Sequence, residues 1–191
     1  AKMPSVDPAI MSEAEKKQII AAAKYVRAYE HFLMANSWGD IPLITSTSAA
    51  ENLTKPRTPV TQVYAAVIKD LTEAAADLPT TVNTANSLTI HNRFQVMALL
   101  AKVHLFLGNW SDAEAAATEV INSGQYQMVT GVTNVFRRGS REAIFSFGST
   151  GTGLLFENRA VVGWLTLPAS AGNATTNYCS LTSSVLNNFE I

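Results

Sequence analysis

Leu99-Leu100-Ala101-Lys102-Val103-His104-Leu105-Phe106-Leu107-Gly108-Asn109-Trp110-Ser111-Asp112-Ala113 is the stretch on which the reading of this chain turns. Helical periodicity runs up to Leu107 and resumes after Trp110, so Gly108-Asn109-Trp110 is a tight connection between two antiparallel helices. The small Ala101 and Ala113 let the helices approach closely, Gly108 permits the turn, and Trp110 plugs the hairpin end. Upstream, Asn92 is an N-cap, and Phe94, Met97, Leu100, Ala101 and Leu105 face inward up to Leu107. Downstream, Ser111 and Glu114 have capping-box spacing and open the next helix. Ala113, Ala116, Ala117, Val120 and Ile121 form its small-residue face, and Gly124 is its stop.

This arrangement matches a tetratricopeptide hairpin. Working outward, two earlier helices read as a degenerate second copy with a long insertion, Trp38 to Thr58. The first runs from about Ser12 to Ser37. Ser12 and Glu15 form its capping box, Ile19, Ala22, Ala23, Val26, Tyr29 and Leu33 line its apolar face, and Trp38-Gly39 ends it. Asp40-Ile41-Pro42-Leu43 is extended, and Thr45 to Thr58 is a polar loop. The second helix opens with Thr58 as cap and Pro59 at its first position. Val60, Val63, Tyr64, Val67, Ile68, Leu71, Ala75 and Leu78 form its stripe, and Pro79 stops it. Asn83 to Ser87 is loop.

Beyond Tyr126 the pattern changes. Glu142 to Phe147 reads as a strand, Leu154 to Leu167 as one or two short strands within irregular structure, Ser170 to Tyr178 as loop, and Leu181 to Phe189 as a short helix capped by Thr182. After Glu142 only Glu157, Arg159 and Glu190 carry charge. The expected fold is mainly α: a tetratricopeptide-like scaffold over residues 1–126, with an irregular, low-charge region, 127–191, packed on it as one structural domain. The chain also reads as a fragment of a longer protein, since Asn188 to Ile191 falls inside an apparent helix.

Composition excludes several functions. The 191 residues are 47% hydrophobic, with a net charge of -1, so the chain folds but has no basic surface for nucleic acid. The single cysteine, Cys179, rules out an internal disulfide framework and a cysteine-rich metal site. No apolar stretch is long enough to span a bilayer.

Catalytic and metal motifs are missing as well. His31, His91 and His104 have no metal-ligand spacing; Glu30-His31 reads as a surface pair and His104 as a packed helix residue. Gly148-Ser149-Thr150-Gly151-Thr152-Gly153 has neither a nucleophile elbow nor a P-loop lysine and reads as a turn. Arg137-Arg138-Gly139-Ser140-Arg141 reads as a solvated turn, and Asp70, Glu73 and Asp77 as solvated carboxylates on a polar helix face. No cofactor, metal or turnover is expected. Calcium is the weakest of these exclusions, because loop oxygens bind it without a motif.

One region has the composition of a sugar-binding surface. Sugar C–H faces stack on aromatic rings, and hydroxyls pair with amide and guanidinium groups. Trp164, Phe156, Asn158, Arg159 and Tyr178 supply these groups, with Asn173 and Asn177 nearby. Val161, Val162 and Leu165 beside Trp164 also fit the opposite reading, a core tryptophan.

The chain as a whole resembles the SusD/RagB family. The resemblance rests on Arg27-Ala28-Tyr29, Phe32-Leu33 and Trp38-Gly39-Asp40-Ile41-Pro42-Leu43. It continues through Val63-Tyr64, Ile68, Asp70-Leu71 and Leu78-Pro79, then Leu99-Leu100-Ala101, Leu105, Gly108-Asn109-Trp110 and Ala113. Ile121-Asn122-Ser123-Gly124-Gln125-Tyr126, Glu142-Ala143-Ile144-Phe145 and Leu181, Leu186, Phe189-Glu190 complete it. The family's N-terminal lipobox cysteine, first segment and C-terminal half have no counterpart here, and Cys179 does not match the lipidated residue.

The resemblance implies a surface nutrient-binding lipoprotein of Bacteroidetes. Such a protein binds an oligosaccharide or polysaccharide without catalysis and delivers it to a SusC-like TonB-dependent transporter. It meets the outer membrane only through a lipid anchor that this chain does not carry. No family ligand residue transfers by position. The rival readings are a tetratricopeptide adaptor for peptides or proteins, and a glycosidase, for which the second half offers only Glu142, Glu157 and Glu190.

Overall fold

The computed structural model describes residues 11–81, 91–131 and 140–145. They lie within one compact unit, Ala1–Ser146, while residues 147–191 lie outside the described set. Five helices follow in chain order among the described residues: α1 (Glu13–Trp38), α2 (Ala49–Leu53), α3 (Val60–Asp77), α4 (Arg93–Leu107) and α5 (Trp110–Asn122). α1 packs on α3, α3 on α4, and α4 on α5. This is the expected tetratricopeptide-like helical fold.

Local signals set the helix limits. Ser12 Oγ accepts from the Glu15 N–H while the Glu15 carboxylate accepts from the Ser12 N–H, closing the capping box at the start of α1. Asn92 caps α4 in the same reciprocal way with Gln95. Gly108 ends α4 at φ 75°, a left-handed conformation that costs a residue with a Cβ roughly 1–2 kcal/mol. At this point the Asn109 N–H already donates to the His104 carbonyl. The chain therefore re-enters helix at Trp110, and Ser111 lies inside the first turn of α5. Asn109 is the N-cap, without a side-chain capping bond, which replaces the expected Ser111 cap. Gly124 has φ 62° just past α5, as a stop requires.

Which face α1 buries differs from the sequence reading. Ala21, Tyr25, Ala28, Phe32 and Ala35 enter the core, whereas Ile19, Val26 and Leu33 stay 44%, 44% and 41% exposed. Both sets repeat at helical spacing, so periodicity alone does not choose between them. α3 selects the alanine stripe, because small residues let its Val63, Val67, Leu71 and Ala74 approach, with Tyr25 and Phe32 filling the gaps. On α4 the buried set is Phe94, Val96, Leu99, Leu100 and Val103, while Leu105 is exposed and Met97 and Ala101 are half-buried. On α5 Ala113, Ala116 and Val120 are buried, and Ile121 faces out.

Other elements also differ from the sequence reading. The polar loop carries the short helix α2. Ile41 and Thr58 form an antiparallel bridge, so Pro59, not Thr58, stands at the N-cap of α3. The strand expected over Glu142 to Phe147 is not formed across its described part. Ala143 turns back on Ser140, no partner strand lies among the described residues, and Phe145 packs instead against the core. Arg141, expected in a solvated turn, is exposed but donates to the carbonyls of Gly124 and Gln125 and to Gln127 Oε1, closing the end of α5. The readings for 83–87, 137–139, 148–153, 154–167, 170–178 and 181–189 fall outside the described residues.

Candidate functional site

Trp164, Phe156, Asn158, Arg159 and Tyr178 all lie outside the described residues. What the structure does place is the helical frame and two groups of aromatic side chains on it.

The sequence Trp38-Gly39-Asp40-Ile41-Pro42-Leu43 builds the corner between α1 and α3. Gly39, at φ 70°, closes α1 by donating its N–H to the Ala35 carbonyl. Ile41 is buried and pairs with Thr58. Asp40 then reaches across the corner, and its Oδ1 accepts from the Val60 N–H at 2.8 Å. Pro59 has no side-chain acceptor, so the carboxylate from the other helix end serves as the cap and favours the positive end of the α3 dipole. The sequence shows Trp38-Gly39 as the helix stop and Asp40 to Leu43 as extended, but not the cap that Asp40 provides; an acid next to a helix stop was the available signal.

His31 was expected at the surface and is buried, 4% exposed. Its Nε2 accepts from the Ile44 N–H at 3.2 Å. Asp70, expected in solvent, is buried between α1 and α3 and accepts twice from Arg27, at 2.7 Å each. The fork geometry makes this a strong, directional pair, and it holds the Arg27 guanidinium above its ordinary pKa. Glu73 pairs with Lys24 at 2.7 Å, which lowers its carboxyl pKa. His104 is half-buried, as expected of a packed helix residue.

The aromatic groups mark the direction of the helices. Tyr25 meets His91, just before α4, with ring centroids 4.9 Å apart, and Phe32 meets Phe106 near the end of α4 at 5.4 Å. α1 and α4 therefore run the same way, and their C-terminal ends share one end of the bundle. Phe32 also meets Tyr64 edge-on at 6.1 Å, and the Tyr64 hydroxyl donates to Asn36 Oδ1 at 3.0 Å. Trp38 and Trp110 follow these helix ends and are each 67% exposed. The second group joins Tyr25, Tyr29, His91 and Phe145. Burial raises the Tyr25 phenol pKa and lowers those of both His31 and His91, since each is desolvated in its charged form.

Chemically, the two carboxylates between α1 and α3 are engaged. Asp70 and Glu73 are tied to cations, and among the described residues no three His, Cys, Asp or Glu side chains converge as metal ligands. Also among them, no helix is long and apolar enough to cross a membrane.

Residues 5–105 match the profile of a family described as SusD-like, starch-binding and associating with the outer membrane. A curated relative, SusD-like protein P38 of Formosa agariphila, is 29% identical over 59% of this chain and 22% of its own length. Among solved structures, a SusD superfamily protein from Bacteroides thetaiotaomicron superposes with a TM-score of 0.73 at 25% identity. That match covers 97% of this chain and 43% of the other. A laminarin-binding SusD-like protein gives 0.62 at 26% identity, covering 67% and 28%. The chain thus spans about a fifth of the curated relative it matches.

Proposed function

From the premise that this chain belongs to the SusD-like family, we propose that its protein captures a glycan at the outer membrane without catalysis. The family match over residues 5–105 carries the reading, because it covers α1 to α3 and most of α4, with the motifs from Arg27 to Leu105. The laminarin-binding neighbour supports a carbohydrate ligand. In this reading a lipid anchor outside the chain holds the protein at the cell surface, and a SusC-like TonB-dependent transporter receives the sugar. Stacking by Trp164 and Phe156, with polar contacts from Asn158, Arg159 and Tyr178, forms part of the binding surface. Affinity stays modest, because handover requires release.

The test is calorimetric titration of the full-length protein against a polysaccharide panel that includes starch and laminarin, with reducing-sugar release followed in parallel. Saturable binding without release is the expected result. Hydrolysis that survives repurification overturns the non-catalytic reading, and binding to peptides alone favours the adaptor. Trp164→Ala is expected to weaken glycan binding severalfold while the melting temperature moves by a few degrees. Loss of a ring stack is worth on the order of 1–3 kcal/mol by analogy with bases. If that variant unfolds, Trp164 belongs to the core.

A further inference from the structure

The buried His31 ring ties the connection that follows Pro42 back onto α1. Its Nε2 accepts the Ile44 N–H at 3.2 Å, and the ring lies near the backbone of Arg27, one turn back in α1. A neutral imidazole has one acceptor and one donor nitrogen. Because Nε2 accepts, the proton of the neutral ring sits on Nδ1, and the bond to Ile44 exists only while the ring is neutral.

We propose that His31 is a proton-operated latch: neutral, it holds the segment 43–57 against α1, and protonated, it releases that segment. Protonation places an N–H on Nε2 opposite the Ile44 N–H, so an attractive contact becomes a repulsive one. The remaining anchors of the corner do not involve His31. Ile41 pairs with Thr58, and Asp40 caps α3. Release is consequently local to the segment between these anchors, and the helices stay packed.

The charged groups facing the ring are Arg27 and Glu30 on α1 and Asp70 on α3. Arg27 opposes protonation, Glu30 and Asp70 favour it, and Asp70 is committed to Arg27 through two bonds of 2.7 Å. Burial is the largest influence and lowers the ring's pKa below the ordinary histidine value. The sign follows from this. A base with a depressed folded pKa gives its full stabilisation above about pH 6.5, the unfolded value, and loses it as pH falls through the folded pKa. The latch is closed at neutral pH and opens in acid.

Amide hydrogen exchange read by NMR on the whole chain, from pH 7.5 to 4.5, tests this. Ile44 is expected to lose protection by up to about tenfold per pH unit as pH falls from about 6.5 toward the His31 midpoint. Val67 and Val103 keep theirs, and the nitrogen shifts of the His31 ring titrate at the pH where that loss ends. In His31→Gln the Ile44 protection no longer depends on pH. Should His31→Gln fail to fold, the wild-type ring decides: an unprotonated Nε2 at pH 7.5 and a ring midpoint at the pH where the Ile44 loss ends support the latch. It is overturned if Ile44 protection stays flat across the range, if the loss persists in His31→Gln, or if Val67 and Val103 lose protection together with Ile44.

Discussion

The two helical hairpins solve the same packing problem by different means. α4 and α5 are joined by Gly108 and Asn109, and the turn itself sets their geometry. α1 and α3 are joined by the whole stretch from Gly39 to Pro59, which leaves their relative position to side chains. Each hairpin carries one forked arginine–carboxylate pair, but the settings differ. Arg27–Asp70 has a carboxylate only 12% exposed, whereas Glu119 in Arg93–Glu119 is 35% exposed. Where a tight turn is present the ion pair can stay in water's reach; where it is missing, the pair moves inside and fixes the register.

That contrast leads to a graded set of outcomes. Asp70→Ala strands the Arg27 guanidinium in a half-buried site and is expected to cost about 3 kcal/mol, toward the low end for a broken buried pair. Urea unfolding measures it, and a loss below about 1 kcal/mol would make the pair ornamental. Ala113→Leu comes next. Ala113 is buried against α4, so the larger side chain overpacks the contact at a cost of about 1–3 kcal/mol. An unchanged melting temperature would remove Ala113 from the close approach. Asp40→Ala deletes the cap that α3 receives from across the corner and should cost about 1 kcal/mol, with Asp40→Asn recovering most of it. Glu119→Ala should have the smallest effect, below about 1 kcal/mol and shrinking with added salt, because its pair is partly solvated. If Glu119→Ala equals Asp70→Ala, the difference between the hairpins is not one of burial.

The ordered motifs from Arg27 to Tyr126 were enough to recognise the frame, and the family match over 5–105 agrees with them. The proposed ligand surface is less legible. Trp164 and its companions rest on residue chemistry in a region without shared motifs, and a stacking ring and a core ring have the same composition. Leu105 and Ile121 show the same ambiguity within the helices. Both are apolar at plausible inward positions, yet both face out.

Helix limits at Ser12, Asn92 and Gly108 were readable from the chain alone, because a cap bonds to backbone three or four residues away and its chemistry is complete within one turn. The buried face of α1, the burial of His31, the Asp40 cap on α3 and the Arg27–Asp70 pair were not. Each depends on a group 13 to 43 residues distant or on a neighbouring helix, and takes its meaning only once packing has brought that partner within reach. A period of 3.6 residues says that a helix has an apolar face, and with Ile19, Val26 and Leu33 beside Ala21, Ala28 and Ala35 it offers two. The closer approach permitted by the alanines decides which one α3 covers.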